Sequence, residues 1–310
     1  MPRATVDAAD AGVRLDQFVA RLCDSSVHGA RRLIRDGRVS LDGRSTSDAK
    51  KGQHLSAGQS VQVELGAEEE FVTPEPELPL AVLYADAHLV AVDKPAGVPS
   101  HPLHAGERGT LANALVARFP ECAGAGDDRR EAGLGHRLDN GTSGVILAAR
   151  RHDVWLALRA ALKAPSCEKS YLAEVIGRPS SVRGTMREPI GRRGRRGSRV
   201  VVGGQGRNPL PAATEWEVIN ARPESTLLRV RLHAGRAHQV RAHLAALGHP
   251  LVGDWLYGHA PERDVAQRLG ATSVRLHAES VSLLHPMSGQ AISISAPPPS
   301  WAQVSAQFIG

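Results

Sequence analysis

From residue 80 to residue 310 the chain is written in short apolar runs broken by glycine and proline, at 89–92, 145–147, 172–176, 227–232 and 291–295. Runs this short read as strands, because a helix needs a longer periodic stretch to bury one face. Only 153–163 and 237–247 carry apolar residues at helical spacing. Strands therefore outnumber helices and do not alternate with them regularly. A doubly wound nucleotide-binding sheet requires that alternation. The pattern predicts an α+β fold built on a mixed or antiparallel sheet.

The first 65 residues read as a separate, smaller α+β unit. Residues 14–22 place Leu15, Phe18, Val19 and Leu22 on one helical face. Residues 28–35 read as a second short helix, with Leu33 and Ile34 apolar and Arg31, Arg32 and Arg35 basic. Gly37 stops it. Val39 and Leu41 alternate as in a strand, Asp42-Gly43 is a turn signal, and Val61 and Val63 suggest a closing strand. The arginines on one side fit either an RNA-docking surface or an ordinary solvated face. Residues 66–80 hold Glu68, Glu69, Glu70, Pro74, Pro76 and Pro79 and lack apolar periodicity, as a linker would. The expected division is 1–65, a linker 66–80, and a larger domain 81–310.

A chain that is 42% hydrophobic and 23% charged is ordinary for a globular protein. No apolar run approaches the ~20 residues of a membrane span, and residues 1–16 lack the apolar core of a secretory signal. Both point to the cytoplasm. Cys23, Cys122 and Cys167 are too scattered for a disulfide framework or a zinc knuckle. His233, His238 and His243 are five apart and fan around a helix, so no metal is expected. No nucleotide-binding glycine motif appears, and no cofactor is expected. A net charge of +6 favours a polyanionic partner.

The segment most suggestive of chemistry is Gly135-His136-Arg137-Leu138-Asp139-Asn140-Gly141-Thr142-Ser143-Gly144. Its glycines mark a tight loop entering a strand, where a side chain can be held on a rigid edge. Asp139, with Arg137 two residues before it, would stay ionised and could attack an electrophilic carbon. A glycosidase would usually pair that carboxylate with a second, and a metal nuclease would surround it with acidic residues or histidines. A serine hydrolase would need a nucleophile elbow that Gly141-Thr142-Ser143-Gly144 does not form.

The segment His136-Arg137-Leu138-Asp139 followed by Thr142-Ser143-Gly144 resembles the signature of RluA-type pseudouridine synthases. Asp93-Lys94-Pro95-Ala96-Gly97-Val98 with His101-Pro102 is similar to the opening segment of that family, and Lys169-Ser170-Tyr171-Leu172-Ala173 to its tyrosine strand. Gly235-Arg236-Ala237-His238-Gln239-Val240-Arg241, Gly248-His249-Pro250 and Gly253-Asp254 resemble its arginine segment, and Leu276-His277-Ala278 with His285-Pro286 closes the match. Asp93, Ala234 and Ala237 depart from the residues common there. The amino-terminal unit resembles the S-four-type (alpha-L) RNA-binding domain through Leu15-Asp16, 30–34, 37–39 and 58–61. That resemblance tips Arg31, Arg32 and Arg35 towards RNA docking.

The resemblance implies isomerisation of uridine within RNA. The sugar bond to the base nitrogen breaks, the uracil turns, and its carbon five bonds to the sugar. Asp139 would attack the sugar or assist a glycal intermediate. Tyr171 would lie against the uracil or take the carbon-five proton, and Arg241 would pair with Asp139. Arg137 would enter the RNA stack as the target is extruded. Lys94 would hold a phosphate or buttress the loop. His136 and His238 would hold loops. Arg192, Arg193, Arg195, Arg196 and Arg199 would meet phosphates from a hairpin or loop. Ribosomal RNA of the large subunit is the favoured partner and transfer RNA the runner-up, with the chain acting as a monomer. The rival is an idle RNA-binding protein, which would have lost the Asp139, Tyr171, Arg241 trio.

Overall fold

The computed structural model describes residues 2–23, 27–46, 52–64, 72–103, 106–193, 199–204, 206–232 and 235–303, without the side chains of His28 and Arg32. Arg195 and Arg196 lie outside the described residues.

The small unit begins with β1 (Arg3–Thr5), continues through helices α1 (Leu15–Leu22) and α2 (Val27–Arg35), and finishes with β2 (Val39–Leu41), β3 (Arg44–Ser45) and β4 (Ser60–Val63). Its sheet has the order β1-β4-β2-β3. Asp42 (φ 51°) and Gly43 (φ 78°) make the two-residue turn joining β2 to β3, both in the left-handed region as a primed hairpin turn demands. Leu15, Phe18 and Val19 of α1 and Leu33 of α2 bury themselves against Val39, Val61 and Val63. The unit thus has a core of its own.

The larger part contains β5 (Ala81–Ala85), β6 (Leu89–Lys94), α3 (Leu111–Arg118), β7 (Ser143–Ala149), α4 (His152–Ala161), β8 (Glu168–Ile176), β9 (Arg183–Met186), β10 (Ile190–Arg192), β11 (Val200–Val202), β12 (Arg207–Leu210), β13 (Thr214–Ala221), β14 (Ser225–Leu232), α5 (Gln239–Ala246), α6 (Ala260–Arg268), β15 (Leu276–Leu284) and β16 (Ala291–Ser295). Nine strands form one sheet in the order β5-β6-β7-β15-β8-β14-β13-β9, with β16 paired to β15. Only β7 and β15 run parallel, so the sheet is mixed. The strands β11-β10-β12 form a second, small sheet.

Continuous apolar runs arise where the sheet is covered on both faces. In β6 and β7, Val90, Val92, Ile146 and Ala148 face α3, while Leu89, Ala91, Val145 and Leu147 face α4. On the far half of the sheet, Val175, Leu228 and Val230 receive Val240 and Leu244 of α5. Leu247, at the end of α5, sits 38% exposed. The second half of the expected linker is not loose: Val72 is buried in the α3 core and Glu75 accepts the Gly109 N–H at 2.7 Å. No helix among the described residues is long and apolar enough to cross a membrane.

The parallel contact between β7 and β15 depends on Gly144. Its φ is 109°, and a Cβ there would stand 2.2 Å from the Ala278 carbonyl oxygen. A side chain would push β15 away from β7 at the point where the 135–144 loop enters the sheet.

Candidate active site

The 135–144 loop is held from three directions. Leu138 is buried, and its N–H and carbonyl both bond the Ser100 hydroxyl, at 3.2 and 2.8 Å. The Gly97 N–H donates to the Asn140 carbonyl at 2.9 Å, and the Thr142 N–H returns to the Asp139 carbonyl at 3.0 Å. His136 accepts the Leu147 N–H on Nε2, and desolvation pushes its pKa down to about 3, so the imidazole is a neutral brace. With Leu138 fixed inward, Asp139 is presented on the opposite side, into a cleft of about 260 Å³.

Lys94 completes the support. It is fully buried, and its ammonium donates to the carbonyls of Pro95, Val98 and Asn140 at 2.9, 2.7 and 3.0 Å. Burial pulls its pKa down to about 8 against the attraction of Asp139 and Asp93. All three of its N–H donors are directed at carbonyls of the loop and its neighbours, the geometry of a buttress. Lys94→Met is expected to cost the Pro95 and Val98 carbonyls their donor, while Asn140 keeps the Gly97 N–H, and to lower stability by about 2 kcal/mol. Urea unfolding of the two proteins measures the difference.

Arg241, on the first turn of α5, spans two carboxylates. Its Nη1 donates to Asp139 at 2.7 Å, while Nε and Nη2 make a fork to Asp254 at 2.7 and 2.9 Å. Asp254 is fully buried and also accepts the N–H groups of Leu256 and Tyr257. Burial alone would lower the Arg241 pKa, but Asp254 and then Asp139 outweigh it and hold the guanidinium above its ordinary range. The loop sequence alone suggested Arg137 as the cation beside Asp139, whereas the family resemblance implied Arg241. Arg137 instead turns to the mouth of the cleft, exposed, with Nη1 3.1 Å from His101 Nε2. The partner comes from 102 residues away because the sheet, not the loop, brings the two charges together.

Tyr171 enters the same cleft from β8, beside Leu276 of β15. Burial raises its phenol pKa and the charge of Asp139 raises it further, so the hydroxyl stays protonated at neutral pH. His238 caps α5 in the left-handed region (φ 56°) with Nε2 3.7 Å from Asp139. Desolvation lowers its pKa, which leaves Arg241 as the charged partner of Asp139 among the described residues.

Sequence reasoning gave no role to Asp254 or Tyr257. Two guanidinium groups lie over the Tyr257 ring, Arg241 at 5.4 Å and Arg199 at 5.1 Å from its centroid. Its hydroxyl accepts the Val200 N–H at 2.9 Å and meets His238 Nδ1 at 3.2 Å. The signal was the Gly253-Asp254 turn, whose carboxylate lies 13 residues after Arg241.

The basic residues fall into distinct places. Arg192 and Arg193 are exposed on the β10–β11 hairpin. Arg35 is 71% exposed on α2, whereas Arg31 shares the buried carboxylate of Asp16 with Arg14, at 2.6 and 2.7 Å. Part of the charge of Arg31 is therefore already compensated.

A sequence profile described as RNA pseudouridylate synthase matches residues 88–246, and one described as the S4 domain matches residues 13–51. Ribosomal large subunit pseudouridine synthase D of Xanthomonas campestris pv. campestris is 37% identical over 305 residues, covering 96% of this chain and 89% of that protein. The protein of the same name from Nitrosomonas europaea is 35% identical, covering 93% and 82%. The solved structure of human RNA pseudouridylate synthase domain containing 1 overlays with a TM-score of 0.58 at 28% identity, covering 76% of this chain and 87% of that one. With a profile over half its length and full-length relatives, this chain belongs to the RNA pseudouridine synthases of the RluA type.

Proposed function

We propose that the chain isomerises uridines in large-subunit ribosomal RNA, with Asp139 as the carboxylate at the sugar. The observation that carries this is the 2.7 Å pair between Arg241 and Asp139 in a cleft also lined by Tyr171. Breaking a glycosidic bond builds positive character on the sugar, and a carboxylate beside it stabilises that charge, by attack or by assisting a glycal. Arg241, anchored by Asp254, orients Asp139. The protonated Tyr171 offers a ring face for the uracil; it takes the carbon-five proton only in a step that passes its own proton on.

Arg137 stands at the mouth, where an extruded uridine would leave a gap in the stack to fill. Residues 1–65 and the exposed Arg35, Arg192 and Arg193 would grip RNA phosphates beside the catalytic region 81–310. The names of the bacterial relatives support ribosomal RNA, with transfer RNA as the runner-up. The proposal has the enzyme act in the cytoplasm and as a monomer.

The test is tritium release from RNA labelled at carbon five of uracil, with ribosomal and transfer RNA free of pseudouridine. Wild type is expected to release tritium from the ribosomal RNA, and Asp139→Asn to bind it equally while releasing none. Release by Asp139→Asn at the wild-type rate would remove Asp139 from the mechanism.

A further inference from the structure

A second cleft, of about 410 Å³, adjoins the one that holds Asp139. Arg236 and Ala237 line both, so the two form neighbouring chambers. Its floor is apolar: Ile190 and Val200 are buried, and Leu210 is 46% exposed above them. Its edge carries Arg192, Arg207 and Arg236, all solvent-exposed. Among the described residues none of these three has a carboxylate within ion-pair distance. The contrast is with the nearby sheet, where Arg222, Arg229, Arg231 and Arg275 all face glutamates. Three uncompensated guanidinium groups around one hollow repel one another unless an anion enters.

The floor is also built to stay in place. A Cβ on Gly206 would stand 2.4 Å from the Gly191 backbone, so β10 and the start of β12 touch directly. The β11 side of the hollow is tied by the Val200 N–H to the Tyr257 hydroxyl.

We infer that this hollow is a second nucleotide subsite, which holds the nucleotide adjoining the target uridine in the RNA chain. The inference rests on the RNA-isomerase reading of the neighbouring cleft. The chemistry has two halves. A phosphodiester meets Arg192, Arg207 and Arg236, and guanidinium suits phosphate oxygens by its forked donors. A base lies on Ile190, Val200 and Leu210, which offer contact area and no hydrogen-bond pattern, so the subsite accepts any base. Arg236, common to both chambers, sits where the phosphate linking the two nucleotides would pass.

Arg207 is the residue to change, because it lines only the second chamber and is exposed on β12. The measurement is the equilibrium affinity for ribosomal RNA lacking pseudouridine, by filter binding over a series of salt concentrations. Wild type, Arg207→Ala, Arg207→Lys and Leu210→Asp are compared, with melting temperatures confirming that each is folded. Arg207→Ala is expected to weaken binding about tenfold and to reduce the slope of log affinity against log salt by about 0.7, one phosphate's share on a single strand. Arg207→Lys should regain most of the slope, since the charge remains. Leu210→Asp should weaken binding by repelling phosphate and wetting the floor. An unchanged affinity and slope in Arg207→Ala would overturn the subsite. Displacement of the RNA by adenosine monophosphate at similar molar affinity would also overturn it, by showing a site for free nucleotide. Binding is read without turnover, so a failure of tritium release by the wild type would count against the isomerase reading and leave this result standing.

Discussion

Arg241→Met is expected to destabilise the protein by about 3–5 kcal/mol and to abolish tritium release. Both effects follow from Asp254, which is fully buried and meets Arg241 through two hydrogen bonds. Removing one partner of a buried pair strands the other charge, and that costs more than the pair itself contributes. The double variant Arg241→Met/Asp254→Leu is therefore expected to recover most of the lost stability, because the stranded charge has gone. It should recover no turnover, since Asp139 still lacks its guanidinium. Urea unfolding and tritium release on wild type and these two variants separate anchoring from chemistry. A double variant as unstable as the single would show that Asp254 does not act through Arg241.

The second large effect is acid sensitivity through buried imidazoles. Desolvation lowers the pKa of His136, His238, His243 and His277, His136 to about 3. In the unfolded chain each would titrate near 6.5. Below that value the unfolded form binds protons that the folded form refuses, so it holds more protons and stability falls as the pH falls. A full proton of difference steepens the fall by about 1.4 kcal/mol per pH unit, the limit that His136 nears, and the other three add to it in the same direction. The loss begins at about pH 6.5 and continues down towards the folded values. Urea midpoints between pH 7 and pH 5 measure it. His243→Gln, which replaces a ring held by Thr214 and the Glu188 carbonyl, should flatten the slope. A stability that stays level down to pH 5 would refute the account.

The strands that carry the centre of the sheet were legible because their residues are apolar on both faces, as at 89–92 and 145–147. The two helices at 153–163 and 237–247 were found within a residue or two of their true bounds, since each has a one-sided apolar pattern. Two others were missed for opposite reasons. α3 is apolar almost all round and lies buried, so no polar face sets its period, although Thr110 and Asn113 form a capping box at its start. α6 is polar nearly all round, with only Ala266 buried, and gives no hydrophobic signal at all. The trio of Asp139, Tyr171 and Arg241 came from family resemblance and meets in one cleft. What pattern could not supply was pairing across distance. Asp139 has Arg137 beside it in sequence, while its partner Arg241 was implied only by the family resemblance, and the sequence left Lys94 between a phosphate and the loop.

The Tyr257 ring carries both Arg199, which precedes β11, and Arg241. On the function proposed above, one side chain therefore belongs at once to the part that would reach for RNA and to the part that would act on it. Grip and turnover cannot be tuned as independent dials in such a protein. Exchanging the hairpin for that of another synthase, to redirect the enzyme to a new RNA, would transplant a neighbour of the reaction centre as well. A graft whose Arg199 and Val200 equivalents do not seat on Tyr257 would inherit the new address and lose speed.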